Sequence, residues 1–157
     1  MNNKIIIAID VMGGENAPYK NIEGISLFLK KNKKKKDVFF NLYGNEDLVK
    51  KELNKYKIST SDYKVFPTNT IVSDSETPLT AIKNSKESSM WNSINSQIVA
   101  NSNITLSAGN TGVLFVISRM LLKTIDSVNK PALAGLWPNE KNMNVVLDLG
   151  ANVECDE

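Results

Sequence analysis

The sequence predicts an α/β fold built on a mostly parallel sheet with a mixed portion, and three observations lead there. Short aliphatic runs alternate with amphipathic helical stretches. The first of those runs, Ile5-Ile6-Ile7-Ala8-Ile9, shows no polar alternation, as expected of a central parallel strand covered on both faces. Three strand ends also carry Gly, Asp or Asn: Asp10 to Pro18, Ser107 to Gly112, and Asp148 to Asn152. Open α/β sheets place their ligands at such carboxyl ends, so a single crevice is expected there.

Residues 4–9 form the first strand. Pro18 suits a first helical turn, behind an Asn16 cap. That helix runs to about Lys31, with Ile22, Ile25 and Leu29 as its inner stripe and Phe28 beside them. Lysines dominate residues 30–36, which reads as a solvated helix end that suits the dipole, or as an electropositive patch for an acidic partner. Residues 38–43 are the second strand. Asn45 caps a short helix over 46–55, with Leu48 facing inward.

Residues 63–66 make a weaker third strand, and 67–75 a polar loop. Pro78 opens a helical region whose Leu79 and Ile82 lead through Lys86, Ser88 and Ser89 into residues 90–100, as one kinked helix or two. Residues 103–106 are a strand. The helix after it, 111–122, is apolar nearly all round, which predicts burial on more than one face. Two readings satisfy that: a central position in this domain, or contact with a second domain or subunit. Residues 131–136 and 144–147 are two further strands, the second a buried one. Too few residues separate them for a crossover helix, so they pair antiparallel through a turn.

Composition narrows the function classes. The chain has 157 residues, one domain by size, with a formal charge of +2 and a single arginine, Arg119, among 19 basic residues. Bidentate recognition of phosphodiesters and base edges favours arginine, so nucleic acid is not an expected partner. Histidine is absent, which removes His-based triads and His-containing zinc sites from this chain; no metal ligand set is expected. The lone Cys155 reads as an incidental thiol in a reducing compartment. The first aliphatic run leads straight into Asp10 and reads as core strand and not as a leader, which points to a cytoplasmic protein. No GxGxxG or GxxxxGK[ST] pattern occurs, so nucleotide binding is not expected.

The Ser107-Ala108-Gly109-Asn110-Thr111-Gly112 loop sits between a strand and a helix, where backbone N–H groups face an anion. Together with Asp10-Val11-Met12-Gly13-Gly14-Glu15-Asn16-Ala17-Pro18 and Leu147-Asp148-Leu149-Gly150-Ala151-Asn152, it resembles the bacterial phosphate acyltransferases of phospholipid synthesis. Shorter stretches agree in order and spacing: Glu76-Thr77-Pro78, Lys86-Glu87-Ser88-Ser89-Met90 and Pro131-Ala132-Leu133-Ala134. The resemblance spans the whole chain but only the first half of a typical member, so residues 1–157 are expected to be the N-terminal portion of a longer enzyme.

The resemblance implies a three-layer sandwich like that of phosphate acetyltransferases and isocitrate dehydrogenase-like proteins. It implies transfer of a long-chain acyl group from acyl carrier protein to inorganic phosphate, giving acyl phosphate, with no metal or nucleotide cofactor. It further implies a homodimer able to associate peripherally with membrane. On that basis Asn110, Lys86 and Asp10 are the catalytic candidates. Gly13, Gly14, Asn16, Ser107, Gly109, Thr111, Gly112, Asp148 and Asn152 are the phosphate-binding candidates. Glu15, Trp91 and Val113 depart from the family pattern, which has aspartate, arginine and alanine there. The rival readings are a short-chain enzyme acting on acyl-CoA, an inactive fragment, and a carrier-docking or dimerisation module.

Overall fold

The computed structural model describes residues 4–32, 37–73, 77, 80, 83, 85–128 and 130–147. The chain divides into two units, Met1–Leu122 and Lys123–Glu157. The first holds β1 (Ile5–Asp10), α1 (Tyr19–Lys31), β2 (Val38–Gly44), α2 (Glu46–Lys55), β3 (Tyr63–Pro67), α3 (Ser89–Ile98), β4 (Ile104–Ser107) and α4 (Thr111–Leu121). The second holds β5 (Ala134–Pro138) and β6 (Met143–Leu147).

The first unit is an α/β fold around a four-stranded sheet of order β3-β2-β1-β4. Its three strand pairings are all parallel. The aliphatic β1 lies between β2 and β4, as its unbroken apolar run requires. The chain runs outward from β1 to β3, then returns to lay β4 on the other side of β1. The order therefore reverses between β1 and β4, and Asp10 is paired with Ser107 across that boundary.

Two apolar clusters form on this sheet. Ile22 and Ile25 of α1 and Val49 and Leu53 of α2 pack with Ile9, Phe40 and Leu42. Met90 and Ile94 of α3 pack with Val113 and Ile117 of α4. Asn41 points the other way from its neighbours Phe40 and Leu42, as strand alternation demands. Its amide donates to the Asn101 carbonyl, just past α3, at 2.9 Å. Thr105 likewise meets the Ser93 carbonyl of α3 at 2.9 Å.

Several local expectations change. Asn45 does cap α2, accepting the Leu48 N–H at 3.1 Å. That start point turns Val49, Glu52 and Leu53 toward the sheet and leaves Leu48 exposed, not inward-facing. Asn16 does not cap α1. Pro18 occupies the cap position with no side-chain bond, and Asn16 takes a left-handed φ of 58° in the turn before it. Phe28 lies on the flank of α1, edge-on to Phe40. Only Val113 and Ile117 of α4 are fully buried, so α4 presents one inner stripe within this unit and is not central. Pro78, Leu79 and Ile82 lie outside the described residues.

In the second unit β5 and β6 pair antiparallel, Ala134 opposite Leu147 and Pro138 opposite Met143. They form a two-stranded sheet of their own and do not join the parallel sheet as a mixed portion. Nor is β6 a buried strand: Met143, Val145 and Leu147 are exposed. Among the described residues β6 pairs with β5 alone.

Candidate functional site

The carboxyl ends of β1 and β4 are tied together by side chains and backbone. Asp10, the last residue of β1, is 1% exposed. Its Oδ2 accepts from the Ser107 hydroxyl at 2.8 Å, and its Oδ1 accepts from the Met12 N–H at 3.3 Å. Ser107 Oγ in turn accepts the Gly109 N–H at 3.1 Å. One carboxylate thus fixes both loops, its own through Met12 and that of β4 through Ser107.

The glycines let these loops touch. A Cβ on Gly13 would sit 2.6 Å from Asp10 Oδ2 and 2.9 Å from the Gly109 nitrogen. Gly14 has φ +88°, and a Cβ there would meet the Ala108 carbonyl oxygen at 2.7 Å. Any side chain at either position would push the loops apart. From α1, the Asn21 amide donates to the Val11 and Gly13 carbonyls at 2.9 and 3.0 Å, clamping the first loop from outside.

Two helix starts adjoin this knot. Asn110 caps α4, its Oδ1 accepting the Val113 N–H at 3.1 Å. Helix geometry leaves the N–H groups of Thr111 and Gly112 without intrahelical acceptors, at the positive end of the dipole. Ser88 caps α3 by accepting the Trp91 N–H at 3.1 Å. The next residue, Ser89, is buried. Burial pushes the Asp10 carboxyl above its ordinary value of 3.8, while hydrogen bonds from Ser89, Ser107 and the Met12 and Gly13 backbone pull it back.

Of the residues singled out by sequence, the structure gathers Asp10, Gly13, Gly14, Ser107 and Gly109, with Asn110, Thr111 and Gly112 continuing the same loop into α4. Asn16 is exposed at the far end of the first loop. Lys86 is exposed in the turn ahead of α3. Asp148 and Asn152, and with them the third strand-end motif, lie outside the described residues, as do Cys155 and Lys33 to Lys36. Ser89 and Asn21 were not singled out. Ser89 was legible as part of a Ser-Ser helix start; Asn21 carries no signal, because its role is to reach backward from a helix to carbonyls. Among the described residues no cluster of three or more His, Cys, Asp or Glu side chains could hold a metal ion, and no helix is long and apolar enough to cross a membrane.

A parallel four-stranded sheet flanked by helices, with glycine-containing loops at the carboxyl ends of two neighbouring strands, defines an α/β protein. The comparisons make that particular. The sequence pattern described as "Fatty acid synthesis protein" matches residues 5–157, and the chain belongs to this family, that of the bacterial phosphate acyltransferases. It is 44% identical over 155 residues to the phosphate acyltransferase of Pelagibacter ubique (strain HTCC1062), covering 99% of this chain and 45% of that protein. It is 39% identical over 159 residues to the phosphate acyltransferase of Anaplasma phagocytophilum (strain HZ), covering 98% and 45%. For the phosphate acyltransferase of Ehrlichia ruminantium (strain Gardel) the identity is 38% over 151 residues, covering 96% and 44%. The chain spans less than half the length of these relatives. The family is one of acyltransferases of lipid metabolism.

Proposed function

We propose that this chain is the N-terminal portion of an enzyme that moves a long-chain acyl group from acyl carrier protein to inorganic phosphate, giving acyl phosphate for phospholipid synthesis. The observation that supports the reading is the close approach of the Gly13 and Gly109 loops beside Asp10 where the sheet order reverses, the edge at which open α/β sheets bind their ligands. Family membership supplies the chemistry that suits such a site.

In the proposed reaction a phosphate oxygen attacks the thioester carbonyl carbon. The new C–O bond forms, the C–S bond breaks, and the carrier thiolate leaves and takes up a proton. Phosphate is nucleophilic enough at neutral pH to need no histidine, so holding it beside the thioester provides much of the rate. Donors at the start of α4, the Thr111 and Gly112 N–H groups, bind phosphate or the oxyanion that develops on the carbonyl, while the Gly109 N–H is held by Ser107 Oγ. Asp10 acts as a positioning residue through Ser107 and Met12. Lys86 approaches the substrate's negative charge from the turn before α3. Asp148 and Asn152 close the far wall, and Asn16 orients the first loop. The fuller architecture in this reading is the three-layer sandwich of phosphate acetyltransferases, in a homodimer that works in the cytoplasm and touches the membrane surface.

The test is phosphate-dependent release of free carrier protein from palmitoyl-acyl carrier protein. It is run with this chain alone and with the carboxyl-terminal remainder of the Pelagibacter ubique relative supplied. Asn110 also caps α4, so Asn110→Ala removes a cap as well as a candidate donor, at a stability cost of about 1 kcal/mol. Asn110→Ser keeps a capping oxygen. Turnover lost in both variants, with the serine variant as stable as the parent, supports a direct role for the amide. Turnover retained in Asn110→Ser assigns Asn110 to capping. No phosphate-dependent release under either condition overturns the reading.

A further inference from the structure

Asn21 stands on the first turn of α1 and bonds outside its own helix. Its amide nitrogen donates to the Val11 carbonyl at 2.9 Å and to the Gly13 carbonyl at 3.0 Å. A side-chain amide carries two N–H groups, so both are spent on one loop. Carbonyl oxygens only accept, so neither a carboxylate nor an aliphatic side chain of the same shape could hold them.

The consequence falls on the other half of each peptide unit. A trans peptide is planar and points its C=O and its N–H in opposite directions. The units joining Val11 to Met12 and Gly13 to Gly14 are both trans. With the Val11 carbonyl turned to Asn21, the Met12 N–H must point away from it. It does so, and meets Asp10 Oδ1 at 3.3 Å. The same rule turns the Gly14 N–H away from Asn21. The two inner N–H groups of the turn are taken, Met12 by the Asp10 side chain and Gly13 by the Asp10 carbonyl at 3.5 Å. The Gly14 N–H has no acceptor among the described residues. Gly14 is half-buried and lies against the Ala108 backbone, on the loop that leads into α4.

We infer that the Gly14 N–H is a phosphate donor on the first loop, alongside the Thr111 and Gly112 N–H groups at the start of α4, and that Asn21 is the positioning residue that aims it. The inference rests on the phosphate acyltransferase reading and deepens it. Phosphate presents oxygens on several sides, so donors fixed in advance on two loops grip it better than donors on one. The peptide between Gly13 and Gly14 is the least constrained kind, with a glycine on either side. Held by Asn21, it is ordered before phosphate arrives. Released, it must be ordered by the ligand, and affinity falls.

The experiment titrates the isotope-labelled full chain with inorganic phosphate and follows its amide resonances, with urea unfolding measured alongside. In the parent, the Gly14 amide proton should move downfield together with those of Thr111 and Gly112. Asn21→Leu keeps the branching of the side chain and removes both donors. It should abolish the Gly14 shift and leave the Thr111 and Gly112 shifts in place. It should weaken phosphate binding about 10- to 100-fold, as expected for one lost hydrogen bond to a charged group. Leu53→Ala, which hollows the α1–α2 cluster, should lower stability and leave phosphate affinity unchanged. A Gly14 amide that ignores phosphate while Thr111 and Gly112 respond overturns the inference and keeps the phosphate site. The parent alone decides that outcome, whether or not Asn21→Leu folds. Phosphate bound as tightly by Asn21→Leu as by the parent also overturns it, and assigns Asn21 to loop stability alone. No response from either loop overturns the phosphate site itself, and the inference with it.

Discussion

The two sides of the parallel sheet are built from different materials. The α1–α2 side is aliphatic, with Ile9, Ile22, Ile25, Leu42, Val49 and Leu53 in one cluster. The α3 side is rich in hydroxyls: Ser89, Ser93 and Ser96 are buried along the helix, with Ser88 before it and Ser102 after it. Their bonds are short-range. Ser93 donates to the Met90 carbonyl and Ser96 to the Ser93 carbonyl, both at 2.8 Å. The first layer supplies apolar burial, which scales with area. The second supplies close approach, which brings the Met90 methyl against Gly109. The larger apolar cluster lies on the α1–α2 side, and the buried serines lie on the α3 side.

Substitutions test that division, and the largest effect is expected in the aliphatic layer. Leu53→Ala should cost about 2–5 kcal/mol in urea unfolding, because a fully buried side chain leaves a cavity. It should leave any ligand affinity of the folded fraction intact. Gly13→Ala should cost about 1–3 kcal/mol by overpacking, and unlike Leu53→Ala it should abolish phosphate binding, since its Cβ lands on Asp10 and Gly109. Equal ligand affinity in parent and Gly13→Ala would break the comparison at its centre.

Ser93 sharpens the contrast within one residue. Ser93→Val should cost about 1–3 kcal/mol through crowding of a close-packed layer. Ser93→Ala should cost no more than about 1 kcal/mol, because the Met90 carbonyl it bonds already belongs to the α3 backbone. Similar destabilisation by both would mean that the hydroxyl, and not the close packing, matters.

The smallest effect is a slope with pH. Asp10 is raised in the folded state by burial. The folded protein therefore holds this proton to higher pH than the unfolded chain does. Its contribution is fully present below the unfolded value, near 3.8, and is lost as pH rises through the folded value. Asp10→Asn should flatten this fall in the urea midpoint. A parent midpoint that instead rises with pH over that window, with the rise removed by the variant, would reverse the assignment.

What was legible in the sequence follows the same division. Strong periodicity located β1, β2, α2 and the β5–β6 hairpin, because aliphatic runs and capping residues act locally. Asn45 caps as its position predicts, whereas Asn110, singled out as a catalytic candidate, also proves to be a cap. The direction of α2 was misread at Leu48, where one residue of helical phase moves a side chain from core to solvent. The hairpin's separation from the parallel sheet was also missed, since pairing partners at a distance leave no local mark. At the site, the glycines and Asp10 stood out by type. Ser89 and Asn21 did not, because their roles come from which element packs beside them.

The Asp10–Ser107 bond joins residues 97 apart in the chain. The proposed anion site is thus closed by a long-range contact that forms only once β4 has docked beside β1. Late, non-local contacts of this kind are slow to form and absent from partly folded states. An anion that binds there holds the whole span shut. At a hundredfold excess over its dissociation constant it adds about 2.7 kcal/mol to folding. Melting temperature then becomes a ligand assay: the compound that raises it most is the one the crevice was shaped to hold.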